Sequence, residues 1–247
     1  MIETLLPEWP APENVRSLVT TRQGGCSVSP FESLNLADHV GDDPQAVSDN
    51  RHRLQIQCQL PTAPFWLSQV HGCSVASPDS DQVGCQADAV YTDRAGAVCA
   101  VLTADCLPLL ITDRHGKEVC AVHAGWRGLA AGVIENALQR FEAAADQLLV
   151  WLGPAIGPTE FEVGDEVRQS FLDRNRADDC AFTPSRSGHW LADIYTLARL
   201  RLARAGVSSV SGGDYCTVTQ QALFYSYRRD GVTGRMASLI WLEKKGV

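Results

Sequence analysis

The sequence predicts a mixed-sheet α/β sandwich. Three observations lead there. Short apolar segments crowd the middle of the chain, broken only by Asp, Gly and Pro, as strands covered on both faces would be. Helical spacing recurs around them without strict alternation, which argues against a Rossmann or TIM arrangement. Neither GxGxxG nor GxxxxGK[ST] occurs, so dinucleotide and P-loop sites lack support.

The elements follow in order. After a proline-rich lead-in from Leu6 to Pro12, Val15 to Thr21 reads as a strand and Gly24-Gly25 as a turn. Pro44 to Leu60 reads as a helix, with Val47, Leu54 and Ile56 among its apolar positions. Phe65 to Val70 is a strand candidate that delivers His71. Four more strands are expected over Ala89 to Thr92, Ala97 to Thr103, Leu107 to Thr112 and Glu118 to His123. Trp126 to Ala144 is expected to be a helix with Leu129, Val133, Ala137, Leu138 and Phe141 on its apolar side. Leu148 to Leu152 is a strand closed by Gly153-Pro154. Val163 to Leu172 and Leu191 to Ala205 read as helices, and Ala237 to Leu242 as the final strand. Nothing resembles a linker or repeat, so residues 1–247 are expected to form a single domain.

Composition excludes several classes. With 45% hydrophobic and 20% charged residues, the chain has the material for an ordinary globular core. A formal net charge of −8 argues against a nucleic-acid surface. It leaves room for small phosphorylated ligands, which need only one or two placed arginines. The nine cysteines include no CxxC pair, so a zinc ribbon or thioredoxin motif has no support. The first residues lack a basic start followed by an apolar stretch, and no apolar run approaches membrane-spanning length. The expectation is a cytoplasmic protein with reduced thiols and no membrane partner.

Three segments carry the strongest chemistry: Gln69-Val70-His71-Gly72, Thr103-Ala104-Asp105-Cys106 and Val122-His123-Ala124-Gly125-Trp126-Arg127-Gly128. His71, Cys106 and His123 would form a His₂Cys set, which suits zinc, with copper as a rival, and leaves a fourth position open. The alternatives are three unrelated residues, or Cys106 as a thiol nucleophile served by one histidine base. His39 is expected not to supply a fourth ligand. Asp105 is a candidate to orient an imidazole or move a proton, and Asp88 carries the same ambiguity. Arg127, flanked by glycine and at an expected helix start, is a candidate anion-binding residue, with Arg51 and the Arg228-Arg229 pair as further candidates. The segment Phe224-Tyr225-Ser226-Tyr227-Arg228-Arg229-Asp230 mixes rings with charge, so its aromatics either stack on a planar base or form a packing face.

Taken together, these pieces resemble the YfiH-like family, also known as the laccase-domain or polyphenol-oxidase-like family and as purine nucleoside phosphorylases. Ser33-Leu34-Asn35-Leu36, Asn50-Arg51, Ala87-Asp88-Ala89, Gly153-Pro154-Ala155-Ile156-Gly157 and the Tyr225 segment join the three segments above in carrying the resemblance. Tyr225 stands where relatives often carry phenylalanine. The resemblance implies a four-layer α/β/β/α sandwich and zinc held by His71, Cys106 and His123, with copper also possible. It implies a cytosolic enzyme that phosphorolyses adenosine, inosine and S-methyl-5'-thioadenosine, with adenosine deaminase activity alongside; a monomer is expected. Members of the family have also been credited with polyphenol oxidation and with editing of peptidoglycan precursors, where the substrate is a UDP-MurNAc-linked amino acid amide. Six histidines without an HxH pair cannot build a multicopper cluster, which disfavours the oxidase. The zinc-deaminase pattern of H-x-E with P-C-x-x-C is absent too, so deamination would need another acid–base arrangement. Within the phosphorylase reading, Arg51, Arg127 and Arg228 are the phosphate candidates, Tyr225 the purine-stacking candidate and Asp105 the proton-transfer candidate.

Overall fold

The computed structural model describes residues 1–244. The chain runs from β1 (Thr4–Leu5) and β2 (Val15–Thr20) to α1 (Pro44–Gln57). It continues through β3 (Val75–Ala76), β4 (Ala89–Thr92), β5 (Val98–Thr103), β6 (Leu107–Asp113) and β7 (Val119–Ala124). Two short helices, α2 (Trp126–Ala131) and α3 (Val133–Leu138), lead to β8 (Leu148–Leu152) and β9 (Glu162–Gly164). Then come α4 (Asp165–Leu172), β10 (Phe182–Pro184), β11 (His189–Ala192), α5 (Ile194–Arg204), β12 (Ser209–Gly212), α6 (Tyr227–Asp230) and β13 (Met236–Leu242).

Two large sheets form the centre. The six-stranded sheet has the order β12-β8-β6-β7-β4-β3, mixed because β12 runs parallel to β8 and β3 to β4. The antiparallel four-stranded sheet has the order β1-β2-β13-β5. They pack face to face: Val19, Val101 and Ile240 of the smaller sheet share one core with Val90, Leu110 and Ala121 of the larger. Alternate residues of the same strands serve the outer layers. Leu109, Ile111 and Val122 pack under Leu129, Val133 and Leu197 of α2, α3 and α5. Leu18, Ala100 and Leu239 pack under Leu54 of α1. The result is the expected α/β/β/α order of layers, and it explains the continuous apolar runs: a strand between two layers has no polar face to show.

Several boundaries differ from the expectation. The stretch over Phe65 to Val70 makes only isolated bridges, Phe65 to Cys99 and Ser68 to Gln86. It lies along the free edge of β5, where the Gln69 side-chain amide stands in for a strand: Nε2 donates to the Leu102 carbonyl at 2.8 Å, and Oε1 accepts from the Leu102 N–H at 2.7 Å. The expected helix over Trp126 to Ala144 is cut at Gly132, whose φ of 108° closes α2 and opens α3, and it ends at Leu138. The two later helices begin after Gly164 and Asp193, because Val163, Leu191 and Ala192 belong to strands. Asp193 accepts from the Thr196 N–H at 3.0 Å and caps α5. Among the described residues, no helix is long and apolar enough to cross a membrane.

Candidate metal centre and cleft

Strand pairing brings the three donor residues together. Cys106 directly precedes Leu107, which pairs with Ala124, so the cysteine turn lies beside His123 at the end of β7. His71 arrives from the segment along the β5 edge. The three potential ligand atoms lie within 4.8 Å of one another, and Cys106 Sγ is 3.8 Å from His71 Nε2. The two imidazoles meet edge to face, with centroids 4.8 Å apart.

Asp88, fully buried ahead of β4, organises both histidines. Its Oδ1 accepts from His123 Nδ1 at 2.8 Å, which leaves Nε2 to offer its lone pair to the site. The same carboxylate accepts the backbone N–H groups of His71 at 2.9 Å and Gly72 at 2.6 Å. Burial opposes its charge, but the His123 contact and these backbone donors outweigh it and hold its pKa below the usual carboxylate value. His71 adopts a φ of 59°, and Asp105 a φ of 92°. Both are left-handed conformations that a non-glycine residue holds only where its surroundings compel it, and here both flank the donor set.

The electrostatics suit a metal. Burial disfavours the Cys106 thiolate, yet the charge of His123 and contacts with both imidazoles prevail and lower its pKa to about 6. Burial likewise opposes charging of His123, and Cys106 with Asp88 reverse this and raise its pKa to about 9. Both shifts favour a thiolate against an imidazolium, and a divalent cation would take the proton's place. Two imidazoles and a thiolate are donors of the kind that zinc takes. Gly125 makes room for them: a Cβ there would lie 2.8 Å from His71 Cδ2 and 3.0 Å from Cys106 Sγ. Among the described residues these three are the only such group, and His39, although it lines the adjoining cleft, is not part of it.

That cleft has a volume of about 590 Å³. Its walls combine apolar side chains (Leu102, Trp126, Ile156, Phe161 and Ile194) with Tyr227 and three guanidinium groups, those of Arg127, Arg228 and Arg235. A shape of that kind, with the three potential metal ligands in its lining, fits a small planar or anionic ligand.

Comparison with known proteins identifies the relatives of this chain. Residues 16–243 match the model of the family described as multi-copper polyphenol oxidoreductase laccase. The chain is 53% identical over 242 residues to a purine nucleoside phosphorylase of Pseudomonas aeruginosa, covering 97% of this chain and 98% of that one. It is 50% identical over 243 residues to the purine nucleoside phosphorylase YfiH of Escherichia coli, covering 98% and 100%. The chain belongs to the YfiH-like, laccase-domain family. A Neisseria meningitidis crystal structure superimposes with a TM-score of 0.94 at 47% identity, covering 98% of this chain and 99% of that one. YlmD from Geobacillus stearothermophilus superimposes with a TM-score of 0.88 at 32% identity, covering 94% and 93%.

Within this YfiH-like chain, the other expected site residues divide. Arg127 and Arg228 line the cleft. The Arg127 guanidinium lies over the Trp126 ring at 4.4 Å, but α2 is only six residues long, so helix polarity adds little there. Arg228 Nη1 donates to the Glu160 carbonyl at 3.1 Å. Arg51 is outside the lining: Nε donates to the Leu36 carbonyl at 2.9 Å, Nη2 is 3.3 Å from Asp38, and the guanidinium covers the Trp66 ring. Its contacts steady the loop carrying His39. Tyr225 does not offer a stacking face. It is fully buried, and its hydroxyl donates to the Phe31 carbonyl at 2.6 Å. The exposed tyrosine of the same segment, Tyr227, lines the cleft instead.

Asp105 lines the cleft but does not touch an imidazole; that partner is Asp88. Asp105 Oδ1 accepts from the Thr217 hydroxyl at 2.6 Å, and Oδ2 from the Arg228 N–H at 2.7 Å. It therefore ties the cysteine turn to the start of α6. Sequence reasoning did not single out Arg235. It stands in a Gly-Arg-Met stretch before β13, where nothing local separates it from a surface arginine.

Proposed function

We propose that this chain is a zinc-dependent purine nucleoside phosphorylase acting on adenosine, inosine and S-methyl-5'-thioadenosine, with adenosine deaminase activity alongside. One observation carries the reading: three potential metal ligands, with no fourth protein donor grouped with them among the described residues, line a cleft that has both apolar walls and three guanidinium groups forming no ion pair with the described carboxylates. The names borne by relatives at 50% identity and above point the same way.

In phosphorolysis a phosphate oxygen forms a bond to C1′ of the sugar as the C1′–N9 bond breaks. The electron pair leaves with the purine, which takes up a proton. Cationic side chains must therefore hold phosphate, and apolar surface must bury the base and exclude water that would compete. Arg127, Arg228 and Arg235, which line the cleft, are the candidates for the first task, and Trp126, Phe161 and Tyr227 for the second. Asp105, with both oxygens accepting hydrogen bonds, keeps the Cys106 turn and Arg228 in register. A metal held by His71, Cys106 and His123 would supply Lewis-acid stabilisation of an anionic oxygen at its open position.

A second reading rests on Cys106 itself: a thiol with a pKa of about 6 beside two imidazoles has the character of a nucleophile, as in hydrolysis of a cell-wall-precursor amide. The multicopper oxidase reading lacks a second group of ligands among the described residues. The nine free thiols favour a reducing cytoplasm. Chromatography of products from adenosine, with and without phosphate, tests the function. Adenine release that depends on phosphate supports it, and adenine release that ignores phosphate opposes it.

A further inference from the structure

Arg235 differs from the other two cations of the cleft. Its backbone is fixed on both sides: the N–H donates to Asn35 Oδ1 at 3.0 Å, and the carbonyl accepts from the Leu36 N–H at 3.4 Å. The next residue, Met236, pairs with Thr103, so Arg235 lies across from the turn that carries Asp105 and Cys106. Its guanidinium is pinned as well, Nη1 donating to the carbonyls of Thr233 and Gly234 at 2.7 and 3.0 Å.

Among the described residues, the remaining donors, Nε and Nη2, have no hydrogen-bond partner, and no carboxylate lies within ion-pairing distance. Elsewhere in the chain Arg51, Arg94, Arg168, Arg201, Arg204 and Arg229 each pair with an acid. Burial of this half-buried cation outweighs the nearby charges of Cys106 and Asp105, and a bound anion at the free edge would offset that cost. The Nε–Nη2 edge presents two parallel N–H donors, the fork that matches two oxygens of a phosphate. By contrast Arg127 and Arg228 are exposed, and neither has two carbonyls fixing its guanidinium.

We propose that Arg235 is the principal phosphate-holding residue of the cleft, its Nε–Nη2 edge gripping two phosphate oxygens beside the Cys106 turn. The identity of the anion rests on the phosphorylase reading; the anion site itself rests on the geometry of Arg235.

The test is calorimetric titration of inorganic phosphate into metal-loaded wild-type, Arg235→Gln, Arg235→Lys and Arg127→Gln proteins, with KM measured for phosphate and for adenosine. Arg235→Gln is expected to weaken phosphate binding by about tenfold or more, beyond the loss in Arg127→Gln, with the KM for adenosine within about twofold of wild type. Arg235→Lys, which keeps the charge and loses the fork, is expected to fall between, and it decides the matter if the glutamine variant does not fold. Phosphate affinity unchanged in Arg235→Lys and Arg235→Gln, equal losses for phosphate and adenosine, or no phosphate binding by the wild type would each overturn the proposal. Wild-type protein that makes no ribose 1-phosphate, while its phosphate affinity still depends on Arg235, would remove the phosphorylase reading and leave the anion site standing.

Discussion

Asp88 grips His123 at two points: its carbonyl accepts the His123 N–H at 2.7 Å, and its carboxylate accepts Nδ1 at 2.8 Å. The ladder between β4 and β7 therefore sets the imidazole's position, and the buried charge sets its tautomer. Because the same carboxylate also binds the His71 loop, one side chain aligns two of the three donors. An ionised carboxylate accepts at both oxygens, whereas an amide accepts at only one. Asp88→Asn must leave at least one of these donors facing an NH₂ group. A 10- to 100-fold loss of zinc affinity is expected, roughly the range for a residue that orients a metal-bound histidine. Competition with a chromophoric chelator measures it, and wild-type affinity in the variant would refute the alignment role.

Gly125→Ala probes the room left for the donors. The added methyl would crowd His71 and Cys106, both of them side chains, so the backbone can survive while the donor set cannot. The expected outcome is a folded protein with little bound metal. Gly128→Ala is a useful contrast, since its methyl would meet the Gly72 carbonyl at 2.5 Å and strain the backbone directly. Melting temperature and metal content measured together separate the two; full metal occupancy in a folded Gly125→Ala protein would contradict the packing argument.

The two tyrosines flanking Ser226 should behave differently. Tyr225→Phe removes the donor to the buried Phe31 carbonyl and should cost about 1–2 kcal/mol of stability, leaving the nucleoside KM unchanged. Tyr227→Ala should raise the nucleoside KM severalfold with stability nearly intact, because the ring is exposed at the cleft. Denaturant titration and steady-state kinetics on both variants check this, and a nucleoside KM that follows Tyr225 would reverse the assignment.

Much of this was legible in the residues, and the failures have physical causes. The strands of the double sheet stood out because layers on both faces make them apolar throughout, as in Val119–Ala124. The donor trio was only partly legible: His71, Cys106 and His123 each sit where an apolar run meets a glycine or aspartate, but they are scattered along the chain, and no single short motif specifies a metal. Pairings between distant segments were not. Asp88 and Asp105 look alike in sequence, and only the β4–β7 register puts one of them on an imidazole. Tyr225 and Tyr227 share a segment, and the direction the chain takes into α6 decides which ring is buried. The helices starting at Asp165 and Ile194 were read as starting earlier because apolar strand residues in front of them extended the helical spacing.

Asp105→Asn tests the tie between the cysteine turn and α6. Its carboxylate takes donors from Thr217 and Arg228, and an amide satisfies only one of them. A stability loss of about 1–3 kcal/mol is expected, with phosphate KM rising more than zinc affinity falls. A variant with wild-type stability and kinetics would show that the tie is dispensable.

The most direct test of the central claim measures metal and product in one sample. Wild-type and Cys106→Ala proteins are stripped with chelator, reloaded with zinc and given adenosine and phosphate, with metal quantified by mass spectrometry and ribose 1-phosphate by phosphorus NMR. The account predicts that stripped wild-type protein makes no ribose 1-phosphate, that activity returns in proportion to zinc bound, and that Cys106→Ala regains neither. Stoichiometric zinc in folded Cys106→Ala protein, or undiminished product from stripped wild-type protein, would contradict it.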